Sequence, residues 1–163
     1  MSIRRAAAAL GAVSLGLVLL TACEKPTPLA TVTVGTKTVT TEATDKCYAD
    51  GKKLPSAIFI ACLSAAPKHT ITVKPGEKVR VGVDPSIGEK GWLIASGVNQ
   101  KTDVLKDETY WTITESAGIF TASDPQTGSS MPLKNATLNI VGSPDASSDN
   151  VFGVWQFKLV KAA

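Results

Sequence analysis

The sequence predicts an all-β domain folded as an antiparallel β-sandwich. Apolar and polar residues alternate in several short runs, for example Val79–Val83, and this alternation is typical of strands with one buried face. Gly and Pro, 13 and 9 residues in all, separate the runs and indicate turns. Beyond residue 22, no stretch repeats its apolar residues with the 3.6-residue period of a helix. Together these observations indicate short strands packed in two layers.

The first 22 residues have the three-part layout of a secretory signal peptide. Arg4 and Arg5 make the start cationic, Ala6–Leu20 is uncharged and mostly Ala, Leu and Val, and the small residues Thr21 and Ala22 follow. The apolar run has 15 residues, whereas a helix that spans a bilayer needs roughly 20. We therefore expect export by the general secretory route followed by cleavage, and no permanent membrane helix.

The residues Leu20-Thr21-Ala22-Cys23 resemble a bacterial lipobox. The resemblance implies that the Cys23 thiol receives a diacylglyceryl group and that cleavage leaves Cys23 as the first mature residue, so that palmitate-type acyl chains hold the protein on the membrane. Each buried methylene adds about 0.8 kcal/mol, and two chains anchor stably where one does not. The alternative is an ordinary signal peptide with a chance cysteine. We expect a cleaved signal peptide (1–22), a lipidated N-terminus and spacer (23–29), and a single β-sandwich domain (30–163).

The charge balance argues against a nucleic-acid partner. The chain has 17 Lys and Arg against 14 Asp and Glu, a net charge of +3, and without Arg4 and Arg5 the surplus falls to about +1. Nucleic-acid binders usually carry a clustered basic face. Here the longest basic run after the leader is Lys52-Lys53, which is typical of a solvated loop.

Cysteine usage agrees with export. With Cys23 assigned to lipid, Cys47 and Cys62 are the remaining cysteines, and two such residues usually form a disulfide in an oxidising compartment. A bridge between them would close a loop of about 15 residues, for which the chain-entropy model gives about 3 kcal/mol. Two buried free thiols are the alternative.

The first predicted strands follow the spacer. In Ala30–Thr41, Thr and Val alternate, and such β-branched alternation favours strand; Gly35 is expected to divide the stretch into two strands. Ala57–Leu63 is an unbroken apolar run. Its seven residues suit a strand buried on both faces, so we expect a central strand that Cys62 connects to the segment around Cys47.

The middle of the sequence predicts a β-hairpin. Thr70–Val73 and Lys78–Val83 both alternate aliphatic with polar or small residues, and Lys74–Glu77, which contains Pro75 and Gly76, turns the chain between them. The pattern indicates a half-exposed antiparallel pair. Asp84–Gly88 then has the composition of a loop.

Further strands are predicted at Trp92–Ala95, Thr109–Thr114, Ala136–Ile140 and Val151–Lys161. Thr121–Asn135 is rich in Pro, Gly and Ser and is expected to be a long loop. Short strands at this spacing favour an immunoglobulin-like sandwich.

The tryptophans are expected in the core of that sandwich. Trp92, Trp111 and Trp155 each lie in a predicted strand. Each would bury on the order of 200 Å² and would need an acceptor for its indole N–H. The alternative is an aromatic platform on the surface that binds a ligand.

The sequence contains no recognisable catalytic set. The chain has one histidine, His69, at the start of a predicted strand, where an exposed edge residue is expected. No Gly-x-Ser-x-Gly or phosphate-loop motif is present. Copper and zinc sites need several His and Cys ligands, and the mature cysteines are expected to be bridged. We therefore expect a protein that is not an enzyme and has no cofactor or metal.

One segment resembles a binding loop of the chagasin-type inhibitors of cysteine proteases. The residues Asp84-Pro85-Ser86-Ile87-Gly88, followed by Trp92, are similar to an Asn-Pro-Thr-Thr-Gly-Tyr loop followed by Trp. The resemblance implies a candidate binding loop formed by Asp84, Pro85, Gly88 and Trp92. Asp replaces Asn, Ile replaces the second Thr, and the Tyr is missing.

The chain as a whole resembles the small lipoproteins of actinobacteria that have no assigned activity. Cys-Glu-Lys-Pro after the cleavage point, the Cys47 and Cys62 pair, and Val154–Leu159 near the end carry this resemblance. We expect a lipid-anchored protein on the extracytoplasmic face of the cell membrane that acts as a non-enzymatic binding or accessory module. Its expected partners are the membrane and a protein of the cell envelope, and inhibition of cysteine proteases is the alternative function. Cys23 is outside the predicted domain and is the expected lipid attachment site.

Overall fold

The computed structural model describes residues 26–113, 118–124, 126 and 128–162. Eleven strands and two short helices, α1 (Ser56–Leu63) and α2 (Pro85–Gly88), make up most of this part, with a 3₁₀ turn at Ser148–Asn150. The strands are β1 (Ala30–Val34), β2 (Lys37–Thr41), β3 (His69–Val73), β4 (Val79–Val83), β5 (Trp92–Ser96), β6 (Asn99–Gln100), β7 (Tyr110–Ile113), β8 (Thr121–Ser123), β9 (Ser130–Pro132), β10 (Asn135–Gly142) and β11 (Gly153–Lys161).

The strands form two larger sheets and a separate hairpin. The first sheet has the order β2-β1-β4-β7 and the second has the order β3-β11-β10-β5-β6, while β8 pairs with β9. The predicted β-sandwich is therefore confirmed. The pairing is not antiparallel throughout, because β3 runs parallel to β11, with His69 opposite Phe157.

The core lies between the two sheets. Val32 and Val81 from the first sheet and Ile140 and Phe157 from the second are among its fully buried side chains. Trp92 and Trp155 are also fully buried, as predicted, and at about 200 Å² each they contribute on the order of 5 kcal/mol each to the transfer free energy.

The core assignment of Trp111 is wrong. Trp111 lies opposite Val81 in the register, but 41% of its surface is exposed. The reason is position in the sheet, because β7 is the edge strand of the first sheet and an edge residue has neighbours on one side only.

The predicted central strand at Ala57–Leu63 is a helix. The chain forms α1 over Ser56–Leu63, immediately after Pro55. A short apolar run does not by itself distinguish a buried strand from a helix. The second sheet is built without this segment, and a helix satisfies its own backbone hydrogen bonds, so the segment packs on that sheet as an outer layer.

The predicted hairpin of residues 70–83 is wrong in its pairing, although both strands exist. The turn forms as expected, since the Glu77 N–H donates to the Lys74 carbonyl at 3.1 Å. However, β3 pairs with β11 in the second sheet and β4 pairs with β1 and β7 in the first. Alternation identifies which face of a strand is buried but not which strand lies beside it.

The predicted long loop over Thr121–Asn135 contains the β8–β9 hairpin, which pairs Thr121 with Pro132.

The expectation for Ala30–Thr41 is confirmed. Strands β1 and β2 pair in antiparallel fashion, and Gly35 adopts φ +57° at the turn, a conformation that favours glycine.

A disulfide joins Cys47 to Cys62, as predicted, and attaches α1 to the rest of the domain. Both cysteines are buried in a second apolar cluster on the outer side of the second sheet, with Leu93, Val141 and Val154. These three residues alternate along their strands with the core residues Trp92, Ile140 and Trp155. The second sheet is therefore covered on both faces.

Loss of this disulfide should destabilise the domain. The bridge closes a loop with a sequence separation of 15 residues, so Cys47→Ala/Cys62→Ala is expected to lower the free energy of unfolding by about 3 kcal/mol. Urea denaturation of the variant and of the reduced wild-type protein measures the effect. An unchanged midpoint in both samples would contradict it.

Candidate functional site

A cleft of about 1370 Å³ lies where the described chain enters the first strand. We call it the N-terminal groove. It is formed by the residues before β1, the segment between β2 and the disulfide, and the first turn of α2. The lining residues are Pro26, Thr27, Pro28, Leu29, Glu42, Ala43, Thr44, Asp45, Lys46, Tyr48, Ala49, Asp50, Asp84, Ser86 and Lys90.

Asp84 holds one wall of this groove in place. Its Oδ2 accepts a hydrogen bond from the Leu29 N–H at 2.7 Å, and its own N–H donates to the Leu29 carbonyl at 2.9 Å. A carboxylate that accepts from a backbone N–H makes a charge-assisted and therefore stronger bond. Asp84 thus fixes the chain just before β1.

Two further bonds fix the preceding residues. The Trp155 Nε1–H donates to the Pro28 carbonyl at 2.7 Å, and the Ala43 N–H donates to Thr27 Oγ1 at 3.1 Å. Residues 27–29 of the predicted spacer are therefore hydrogen-bonded to the domain.

Tyr48 forms part of the floor of the groove. Its ring lies 5.9 Å from that of Trp155, tilted by 57°. Burial raises the pKa of the Tyr48 phenol above its usual 10.0, and the negative charge and side-chain hydrogen bond of Asp50 raise it further. The Tyr48 phenol therefore gives up its proton at a higher pH than an ordinary tyrosine does.

The groove carries charges of both signs. Glu42, Asp45, Asp50 and Asp84 supply four carboxylates, and two lysines stand among them, Lys46 and Lys90. The ammonium of Lys90 lies 5.6 Å from the centre of the Phe152 ring, within the range of a cation–π interaction. This chemistry suits a polar partner with hydrogen-bonding groups and charge of either sign.

The described residues contain no group of three or more His, Cys, Asp and Glu side chains placed to hold a metal ion. His69 is exposed at the first position of β3, as expected. It lines a smaller cleft of about 290 Å³ beside Lys68.

The four residues of the predicted binding loop do not share one surface. Asp84 lies in the groove and Pro85 is exposed, but Gly88 is buried and the Trp92 side chain is fully buried. The Trp92 Nε1–H donates to the Glu108 carbonyl at 2.6 Å. Inhibition of cysteine proteases stays a prediction. Because Gly88 and Trp92 are buried, only Asp84 and Pro85 of the four predicted residues are placed to contact a protease.

Gly88 explains why the α2 turn packs so closely. A Cβ atom at Gly88 would lie 2.8 Å from the Glu108 carbonyl oxygen, and the Asp107 N–H donates to the Gly88 carbonyl at 2.9 Å. The glycine and tryptophan of this motif therefore join α2 to the segment before β7, which is a structural role.

Sequence reasoning missed two exposed apolar features. The first is the edge pair Tyr110 and Trp111 on β7, exposed by 50% and 41%. The second is α1, where Ile60 is 63% exposed. The absence of any charge in α1 is visible in the sequence, but an unbroken apolar run predicts burial and not exposure. Cys23, the predicted lipid attachment site, lies outside the described residues.

No protein-family model matches the chain, and no curated protein or solved structure matches it either. Neither helix in the described part of the chain is long and apolar enough to cross a bilayer.

Removal of the Asp84 carboxylate should weaken the attachment of the segment before β1 to the domain. Asp84→Ala removes the acceptor for the Leu29 N–H, and we expect the free energy of unfolding to fall by about 1 kcal/mol. Ser86→Ala, on the exposed side of the same turn, is the control and should change it by less than about 0.5 kcal/mol. Chemical denaturation of both variants measures the difference, and equal effects would contradict the role of Asp84.

Tyr48 should make stability fall in alkaline solution. Its pKa is raised above 10.0 in the folded protein, so the unfolded chain loses this proton first. The stability that this neutral phenol confers is fully present below about pH 10 and is lost as pH rises through the folded pKa. Urea denaturation between about pH 9 and pH 11 should show a steeper decline for wild type than for Tyr48→Phe. Identical declines would contradict the shift.

Proposed function

We propose that this protein is a lipoprotein anchored on the extracytoplasmic face of the cell membrane, where its domain acts as a non-enzymatic binding or accessory module. The observation that carries the proposal is the lipobox Leu20-Thr21-Ala22-Cys23 at the end of an apolar leader. Two acyl chains on Cys23 would give a stable anchor, and an exported domain is the usual setting for a disulfide such as Cys47–Cys62.

The anchor and the domain would lie close together. Thr27 already accepts a hydrogen bond from Ala43, and it follows Cys23 by four positions. Four extended residues span at most about 14 Å. The end of the sandwich with the N-terminal groove would therefore face the membrane, or a partner held at its surface.

The groove is the proposed binding surface of the module. Its residues are held by the hydrogen bonds of Asp84 and Trp155 to the chain before β1, which keeps the walls in place before a partner arrives. The mixed charge of the residues that line the groove favours a polar partner, such as a loop of another envelope protein. A non-enzymatic role agrees with the composition of the groove, because His69, the single histidine of the sequence, does not line it.

We further propose that the sandwich is of the immunoglobulin-like kind. Support comes from two facing sheets of four and five strands and from inward aromatic residues on strands of the second sheet, Trp92 on β5 and Trp155 on β11. Superposition of a crystal structure on immunoglobulin domains tests this assignment, and a fit of fewer than half of the strands would reject it.

Lipid labelling tests the anchor. Cells that express the full chain with radioactive palmitate should yield a labelled protein, and Cys23→Ala should abolish the label because its thiol is the proposed acyl acceptor. Cys47→Ala/Cys62→Ala is the matched control and should keep the label, since those two cysteines are bridged. A label that persists in Cys23→Ala would refute the anchor.

A further inference from the structure

Helix α1 presents an apolar surface to the outside of the domain. From Leu54 to Pro67 the chain has no charged residue, and of the eight residues of α1 only Cys62 is buried. Ile60 is 63% exposed, and its neighbour Ala61 is also exposed. A surface helix normally carries polar residues on its outer side, so this helix is suited to an apolar environment.

The helix is held in this exposed position. The disulfide attaches Cys62 to Cys47, and Ile58, Phe59 and Leu63 pack against the apolar cluster on the outer side of the second sheet. The inner side of α1 is therefore packed against the second sheet. Its outer side has no cover among the described residues that would account for Ile60.

Lysines flank the uncharged segment at both ends. Lys52 and Lys53 precede it, Lys68 follows it, and all three are exposed. Lys53 lies 3.8 Å from Asp149 and Lys68 lies 3.0 Å from Asp45, but exposed pairs of this kind are weak. Apolar residues between basic residues match the arrangement of a bilayer surface, where acyl chains lie beneath anionic headgroups.

The helix is also connected to the end of the domain where the chain enters. The Cys47 N–H donates to the Thr44 carbonyl at 2.7 Å, and Thr44 lines the N-terminal groove together with Thr27. The disulfide then leads from Cys47 to α1. A lipid on Cys23 would therefore hold α1 near the membrane.

We propose that α1 docks on the membrane, with Ile60 inserted among the acyl chains and Lys52, Lys53 and Lys68 on anionic headgroups. This inference rests on the proposed lipid anchor and adds a second contact that orients the domain. At 1.5 Å per residue the helix is about 12 Å long, too short to span the bilayer, so it lies in the interface.

An environment-sensitive fluorophore on α1 tests the docking. The core residues of the described chain lie between Ala30 and Leu159, so the chain from residue 24 onwards contains the whole sandwich. This chain carries an N-terminal histidine tag and is captured on vesicles that contain a nickel-chelating lipid, so that the tag replaces the proposed anchor. A nitrobenzoxadiazole label is attached at Ile60→Cys, while Cys47 and Cys62 remain bridged.

Tyr110→Cys is the matched control position. Tyr110 is half exposed, and it lies opposite Gly82 on the outer face of the first sheet, away from α1. On vesicles of phosphatidylcholine and phosphatidylglycerol, the label at position 60 should shift its emission to shorter wavelength and the label at position 110 should not. Circular dichroism of each variant confirms that the domain is folded.

Two further variants measure the contributions. Without the tag, Ile60→Ser should bind the same vesicles about tenfold more weakly, because the apolar contact is lost. Lys52→Gln/Lys53→Gln/Lys68→Gln should weaken binding to anionic vesicles and leave binding to neutral vesicles unchanged.

Two results would overturn the docking. One is no shift at position 60, whether or not position 110 shifts. The other is a shift at position 60 that depends on protein concentration and not on vesicles, which would show that a second copy covers α1. Because the tag supplies the tether, failure of the palmitate experiment with a shift at position 60 refutes the anchor alone. Labelling without the shift refutes the docking alone.

Discussion

Both the core and the candidate site depend on Trp155, through the packing of its ring and the hydrogen bond of its indole N–H. Its ring is fully buried between the sheets, and a buried indole N–H needs an acceptor. The acceptor is the Pro28 carbonyl, so one side chain fills the core and also holds the chain before β1. The same ring packs against Tyr48 at the floor of the groove. The position of the groove is therefore a consequence of how the core is packed.

Strand β11, which carries Trp155, also contacts the outer layer formed by α1 and the disulfide cluster. Its inward residues Trp155 and Phe157 belong to the core, while Val154 faces the disulfide cluster on the other side. The Val154 N–H donates to the Cys47 carbonyl at 2.9 Å, and Cys47 is bridged to α1. The groove and the apolar helix are thus both attached to β11, through opposite faces of this one strand.

Local patterns identified most strands but not their partners. The alternation in Val79–Val83 and Val154–Leu159 identified the faces that meet in the core between the sheets, because side chains alternate along a strand whatever lies beside it. It did not show that the other face of β11 is buried too, at Val154 and Gln156. It also did not show that β3 pairs with β11 and not with β4, because strand pairing depends on how the two sheets pack over the core. For the same reason the exposure of Trp111 was missed, because it depends on the edge position of β7.

The sequence alone predicted the all-β class and the pairing of Cys47 with Cys62, which the structure confirms, because these follow from alternation and from the count of cysteines. The leader and the lipid attachment at Cys23 also come from the sequence alone and stay predictions. Only the tertiary structure decided that the apolar run at Ser56–Leu63 is a helix with Ile60 exposed. It alone decided that Asp84 belongs to a groove while Trp92 belongs to the core. The physical reason is that the residues that surround these side chains are distant in sequence and come together only when the sheets pack.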